Sequence, residues 1–234
     1  MSNSGYRLTR AAVRVVSAPF VRLRVWRAPG ASELSGGAVV VSNHISHFDP
    51  GFLTVAFRRP IDWMTTAEFY SHPLAAAWLR AVDTFPVDRA RPDQRALRVG
   101  VERLRAGRLV GMFPEGGIRA GPTSILGGVP PKRGASALAR LADVPIIPCV
   151  IFGSDRLYAA RSWRPVPPRT PVWITIGVPL SVAGLRDDEA NAHLASALRE
   201  IGAAMTAHFS LGPDDLPATP QHRKGRDAQL APNE

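Results

Sequence analysis

The stretch with the clearest chemical content is Asn43-His44-Ile45-Ser46-His47-Phe48-Asp49. A neutral imidazole can take a proton near pH 7, because its ordinary pKa lies close by. A carboxylate on the other ring nitrogen fixes the tautomer and stabilises the imidazolium that forms. His44 and Asp49 are therefore candidates for a proton-abstracting pair. Neither Ser42 nor Ser46 lies in a G-x-S-x-G elbow. The substrate must then bring the nucleophile, and a hydroxyl deprotonated by His44 is the simplest form. Two other readings of these residues compete. Asn43, Ser46 and Asp49 can simply cap a helix, with both histidines on the surface. Alternatively, His44, His47 and Asp49 suit a transition metal, although no second His/Cys cluster nearby completes such a set.

The pair must be positioned by the elements around it. Ala38-Val39-Val40-Val41 reads as a short buried strand that stops at small polar residues. His44 then falls where a strand ends, the place at which α/β proteins open a crevice. Further strands are expected over Ile61–Met64, Val82–Val87, Leu109–Phe113, Val144–Phe152 and Val172–Ile176. Helices are expected over 50–59, Glu68–Arg80 and Pro92–Gly107, after Lys132, and over Asp187–His208. This alternation indicates one α/β domain with a largely parallel or mixed central sheet flanked by helices. Several residues stand at strand or helix ends where an anion could be held. An arginine such as Arg89 can fork onto a phosphate, or form a surface ion pair with Asp88 or Asp93. Glu115 can accept a hydroxyl or brace an arginine, and the glycines beside it allow close backbone approach. Lys132 precedes a helix, whose N-terminus favours anions; plain solvent exposure is the competing reading. Gly121–Pro131 reads as a flexible Gly/Pro-rich flap, and the arginines of 92–107 as a solvated face.

The chain has 234 residues, enough for one sizeable core. Its composition, 45% hydrophobic and 21% charged, is that of a globular protein. The net charge of +10 rests mostly on arginine, since Lys132 and Lys224 are the only lysines. Anionic partners follow: a membrane surface, a phosphate-bearing substrate or nucleic acid. The one cysteine, Cys149, excludes an intrachain disulfide, suits a reducing compartment and reads as a buried thiol. No apolar run reaches about 18 residues, so no spanning helix is expected. Residues 1–30 form a basic arm, with Arg7, Arg10 and Arg14 on one helical face and Val13, Val16 and Phe20 on another. Pro19 should end that helix. Such a segment with a tryptophan suits an anionic lipid surface, and equally suits packing on the domain. The expected division is the arm, a domain over 31–211, and a disordered polar tail over 212–234.

Four blocks taken together resemble the glycerolipid acyltransferase family, typified by 1-acylglycerol-3-phosphate acyltransferase. Asn43-His44 through Asp49 matches its N-H-x-x-x-x-D block, and Phe113-Pro114-Glu115-Gly116 its F-P-E-G block. Phe85-Pro86-Val87-Asp88-Arg89 matches the block between them, and Val144-Pro145-Ile146-Ile147-Pro148 the last. Lys132-Arg133-Gly134 is similar to a Lys-x-Gly before a helix. Order and spacing agree over roughly residues 35 to 180, and four blocks in sequence are far more specific than one. The resemblance implies the acyltransferase fold and a reaction without acyl-enzyme, cofactor or metal. His44 would be the general base and Asp49 its orienting partner. Acyl-CoA or acyl-carrier protein would be the donor, and a lysophospholipid the acceptor, lysophosphatidic acid first. Arg89, Glu115, Gly116, Arg119 and Lys132 would hold the acceptor. A peripheral enzyme on the cytoplasmic face of an anionic membrane is expected, with no nucleic-acid partner. The chain departs from the usual F-P-E-G-T-R. Gly117 replaces the threonine, Ile118 takes the arginine's place, and Arg119 comes one residue late. Asp83 and Thr84 stand where the family usually has a glycine. These departures motivate another acceptor, such as a different lysolipid or an amino-acid-derived lipid. A hydrolase and a non-enzymatic basic binding module are the readings from other classes.

Overall fold

A computed structural model describes residues 4–31, 35–88, 93–165 and 168–217. The elements in chain order are α1 Ser4–Ser17, β1 Val21–Arg27, β2 Ala38–Ser42, α2 Asp49–Ala56, β3 Ile61–Thr66, α3 Pro73–Ala81 and β4 Phe85–Val87. They continue with α4 Gln94–Arg105, β5 Leu109–Met112, α5 Gly134–Ala142, β6 Ile146–Phe152, β7 Thr170–Ile176 and α6 Asp187–Phe209. One seven-stranded sheet has the order β1-β7-β6-β2-β5-β3-β4. β4, β3, β5, β2 and β6 are all parallel, whereas β6 and β7 are antiparallel and β1 runs parallel to β7. The C-terminal ends of the five parallel strands therefore share one edge.

The uninterrupted apolar run of β2 has a direct cause. Val39 and Val41 belong to the core under α4, α5 and α6, while Ala38 and Val40 belong to the core with Phe52 and Leu53 of α2 and Phe57 just after it. A central parallel strand is buried on both faces, so alternation disappears. β6 follows the same rule, with every residue buried, including Cys149. Burial pushes the Cys149 thiol up, far from a reactive thiolate.

Four expectations are corrected. The basic arm is not one unit: α1 ends before Pro19, but Val21–Arg27 pairs along its whole length with Thr170–Ile176 as an edge strand of the sheet. Period-2 and helical patterns are hard to separate in a short Val/Leu/Arg sequence, and β7 supplies the deciding hydrogen bonds. The helix expected over Glu68–Arg80 begins with a 3-10 turn at Ala67–Tyr70, and α3 starts at Pro73, where a missing N–H costs nothing. The arginines of α4 are not all solvated. Arg103 reaches the fully buried Asp62 at 3.0 Å, beside Arg108, whose Nε and Nη2 donate to the same carboxylate at 2.6 Å each. Finally, Gly212–Pro217 is folded: a 3-10 turn spans Pro213–Asp215, Arg156 pairs with Asp215, and the Pro217 carbonyl accepts the Gly121 N–H. The rest of the expected tail, 218–234, lies outside the described residues. At the family's usual glycine position, Asp83 adopts φ +60, and its carboxylate pairs with Arg108 at 3.0 Å. Aspartate tolerates the left-handed region better than most residues.

Candidate active site

β2 ends at Ser42, and the next side chain continues its ladder. Asn43 Nδ2 donates to the Ile151 carbonyl at 3.0 Å, and its Oδ1 accepts the Ile151 N–H at 2.8 Å. The amide thus replaces a peptide unit on β6 while the main chain turns away, presenting His44 at the strand edge. Asp49 opens α2 and is wholly buried. Its Oδ2 lies 2.8 Å from His44 Nδ1 and accepts the N–H groups of Ile45 and Ser46 at 2.8 and 2.9 Å. Its Oδ1 accepts the hydroxyls of Ser46 at 3.0 Å and Ser154 at 2.5 Å. The helix N-terminus adds favourable dipole charge. The turn is therefore tied down by the same carboxylate that orients the imidazole. The His44 ring stacks on Phe113, with centroids 4.0 Å apart, and Phe113 stacks on Trp63 at 5.0 Å.

β5 delivers the second half of the site. Glu115 Oε2 accepts the His44 N–H at 2.7 Å and Oε1 accepts the Ile125 N–H at 2.9 Å. Both oxygens are thus engaged by backbone, which makes Glu115 a brace for the His44 turn. Burial, the largest cause, pushes its carboxyl up to about 7, against the pull of those two N–H groups. The Arg119 N–H donates to the His44 carbonyl at 2.8 Å, closing the brace from the other side. Gly116 has φ +68, and a Cβ there would lie 2.4 Å from Lys132 Nζ. The lysine side chain therefore lies across the glycine, while its own N–H donates to the Pro114 carbonyl at 2.8 Å. Lys132 and the Arg119 side chain are exposed, and Ile118 is buried in the site wall. Thus His44, Asp49, Glu115, Gly116, Arg119 and Lys132 gather at one edge of the sheet. Arg89 lies outside the described residues.

Other side chains near the motifs resolve differently. His47 shares two hydrogen bonds with Tyr158: the hydroxyl lies 2.5 Å from Nδ1 and accepts the His47 N–H at 2.9 Å. Burial, with His44 nearby, holds the His47 imidazole below its ordinary value. Among the described residues no three His, Cys, Asp or Glu side chains converge as a metal set. Arg156 turns away to Asp215 and lies over the Trp173 ring. The loop Gly121–Pro131 is fastened over its first part, where Ile125 is fully buried and Ser124 Oγ bonds the Gly121 carbonyl and the Gly127 N–H, and it is exposed over residues 127–130. Ser154 and the Trp63–Phe113–His44 stack escaped sequence reasoning. Their only local signal is a strand end, and the strands become neighbours only in the sheet.

An apolar cavity of about 1160 Å³ opens beside His44. Its wall combines Val13 and Val16 of α1, Phe52 of α2, Trp63 of β3, Trp78 and Leu79 of α3, and Ile118. Tyr6 fixes α1 in place: it is buried, and its hydroxyl accepts the Ile61 N–H at 3.0 Å. With Nδ1 taken by Asp49, Nε2 is the ring nitrogen left for chemistry on the cavity side.

Comparison with known proteins agrees with this geometry. Residues 23–152 match the Acyltransferase family model. The chain is similar to the 1-acyl-sn-glycerol-3-phosphate acyltransferase of Bacillus subtilis (strain 168), 30% identical over 118 residues, covering 50% of this chain and 56% of that protein. It is also similar to the 1-acyl-sn-glycerol-3-phosphate acyltransferase of Streptococcus pneumoniae, 24% identical over 150 residues, covering 63% and 52%. The chain spans about half the length of these curated relatives. The crystal structure of the 1-acyl-sn-glycerophosphate acyltransferase PlsC from Thermotoga maritima shares the fold, with a TM-score of 0.64 at 20% identity over 85% of this chain and 79% of that one. Since the family match takes in more than half of the chain and both halves of the site around His44, the chain belongs to the acyltransferase family.

Proposed function

We propose that this protein transfers a fatty acyl group from a thioester, acyl-CoA or acyl-carrier protein, to the hydroxyl of a lysophospholipid. The observation that carries the reading is His44 paired through Nδ1 with the buried Asp49 beside a large apolar cavity. The cavity is of a size and polarity to take an acyl chain. His44 Nε2 accepts the proton of the acceptor hydroxyl, and the oxygen attacks the thioester carbonyl. The tetrahedral adduct collapses, the C–S bond breaks, and the thiolate recovers the proton from the imidazolium. Asp49 keeps the reactive tautomer and offsets the imidazolium charge. No residue need be acylated. Lys132 across Gly116, with Arg119, supplies cationic groups for an acceptor phosphate, and Arg89 is proposed to join them. The names of the two curated relatives favour 1-acyl-sn-glycerol-3-phosphate as acceptor and phosphatidic acid as product. Ile118 favours a second reading: it turns an apolar side chain into the wall where the family pattern carries arginine, which suits a lysolipid with another headgroup.

A peripheral station on an anionic, cytoplasmic membrane face belongs to the same proposal. Leu8, Val15 and Val16 of α1 and Leu74 and Trp78 of α3 are more than half exposed. Arg7 and Arg14 stand exposed on α1, which carries no acidic residue. Apolar side chains among arginines suit an anionic bilayer, and among the described residues no helix is long and apolar enough to cross one.

Thioester consumption by the purified protein tests the reading, with long-chain acyl-CoA and acyl-carrier protein, with and without lysophosphatidic acid. Acceptor-dependent phosphatidic acid, absent in His44→Ala, is expected. Consumption that yields only free fatty acid would replace transfer with hydrolysis, and turnover retained in His44→Ala would remove the general base. A panel of lysolipids then separates the two acceptor readings.

A further inference from the structure

We propose that Ser154 is a positioning residue of the His44–Asp49 pair, acting through the carboxylate oxygen that does not face the histidine. It lies just beyond the residues matched by the family model, which end at 152. The inference rests on the acyl-transfer reading only for its kinetic arm.

Three observations carry it. Ser154 is wholly buried, and its hydroxyl donates to Asp49 Oδ1 at 2.5 Å. An O–H donor on a carboxylate at such a length is a charge-assisted bond, stronger than a neutral one. Second, the division of labour on Asp49 is complete. Among the described residues, Oδ2 takes His44 Nδ1 and two backbone N–H groups, whereas Oδ1 takes the hydroxyls of Ser46 and Ser154. Ser46 lies three residues from Asp49 and belongs to its own turn. Ser154 arrives from the end of β6, 105 residues on, and so ties the turn to the sheet. Third, the backbone is built to deliver it. Gly153 has φ +85, and a Cβ there would lie 2.2 Å from the Pro171 carbonyl oxygen of β7. Glycine lets the chain reverse tightly against β7 and aim the next side chain inward.

The consequence is electronic as well as positional. A hydroxyl donated to Oδ1 draws charge from the carboxylate and tempers its pull on the His44 Nδ1 proton. The carboxylate is held by its neighbours in one orientation, so that this proton stays on the imidazole.

The test compares the full-length protein with Ser154→Ala, Ser154→Thr and Ser154→Cys. The first readout is the low-field proton resonance of His44 Nδ1–H, assigned by its loss in His44→Gln, and it does not depend on turnover. In Ser154→Ala it moves downfield, because the carboxylate becomes the stronger acceptor. The second is steady-state kinetics: kcat falls about tenfold with KM unchanged, the order of one charge-assisted bond. Ser154→Thr, which keeps the hydroxyl, restores both. A folded Ser154→Ala with the resonance unmoved overturns the proposal, whatever its rate. If that variant does not fold, Ser154→Cys decides: its thiol is a weak donor of similar size, so the resonance must still move downfield, and an unmoved signal overturns the proposal. A wild-type protein without acyl transfer would remove the functional reading while leaving the resonance test intact.

Discussion

Glu115 links the stability of this fold to pH in a direction opposite to that of an ordinary surface carboxylate. Its folded-state value lies at about 7 against an ordinary 4.5, because burial penalises the charge more than two backbone N–H donors reward it. Between these values the folded chain binds the proton more tightly than the unfolded chain. Its contribution is therefore fully present below pH 4.5 and is lost as pH rises through about 7. At about 1.36 kcal/mol per unit, the loss between pH 5 and pH 8 comes to about 2.5 kcal/mol, an upper figure since the side chain keeps some solvent access. Glu115→Gln removes the titration while keeping the shape. Its stability, from urea denaturation at the two pH values, should fall less across the interval than the wild type's, by about 2 kcal/mol. The substitution leaves one of the His44 and Ile125 N–H groups facing an amide NH2, so at pH 5, where the wild-type group is protonated and costs least, the variant should be the less stable. Its kcat should also fall, because the turn carrying His44 loses one of its fastenings. Equal pH slopes in both proteins, or a steeper loss in Glu115→Gln, would refute the reasoning.

Two further substitutions probe parts of the molecule with separate duties. Asp62 is wholly buried beneath Arg103 and Arg108 at the start of β3, the end opposite the site. Asp62→Ala removes the buried carboxylate that both guanidiniums share, leaves Arg108 its pair with Asp83, and should cost about 1–3 kcal/mol in urea denaturation, with kcat of the surviving folded protein unchanged. Ala75 lines the apolar cavity; Ala75→Trp should lower kcat/KM for long-chain donors by at least about tenfold while sparing short ones, and equal losses across a chain-length series would place the acyl chain elsewhere.

What could be read from the sequence was local. The step from an apolar run to Asn43-His44 marked a strand end, and the five-residue spacing to Asp49 suited a base and its orienter. The fold ends β2 at Ser42 and places Asp49 at the head of α2, 2.8 Å from His44 Nδ1. The glycine at 116 read as a place where the backbone could approach a ligand closely; in the fold the Lys132 side chain lies across it. The alternation of strands and helices gave the class of the domain. What escaped was everything decided by sheet order. Glu115 read as a partner for an acceptor hydroxyl or an arginine, because a carboxylate's partners are not encoded beside it; β5 lies next to β2, and that adjacency turns it toward the His44 and Ile125 backbone. Val21–Arg27 looked like part of a surface arm until β7 provided its ladder. The cavity is assembled from α1, α2, α3 and β3, none of which signals a pocket alone. Ser154 becomes Asp49's partner because β6 runs beside β2, bringing together residues more than a hundred positions apart. Side-chain chemistry is written residue by residue and can be read in order. Which groups meet depends on long-range hydrogen bonding and packing that only the folded sheet supplies.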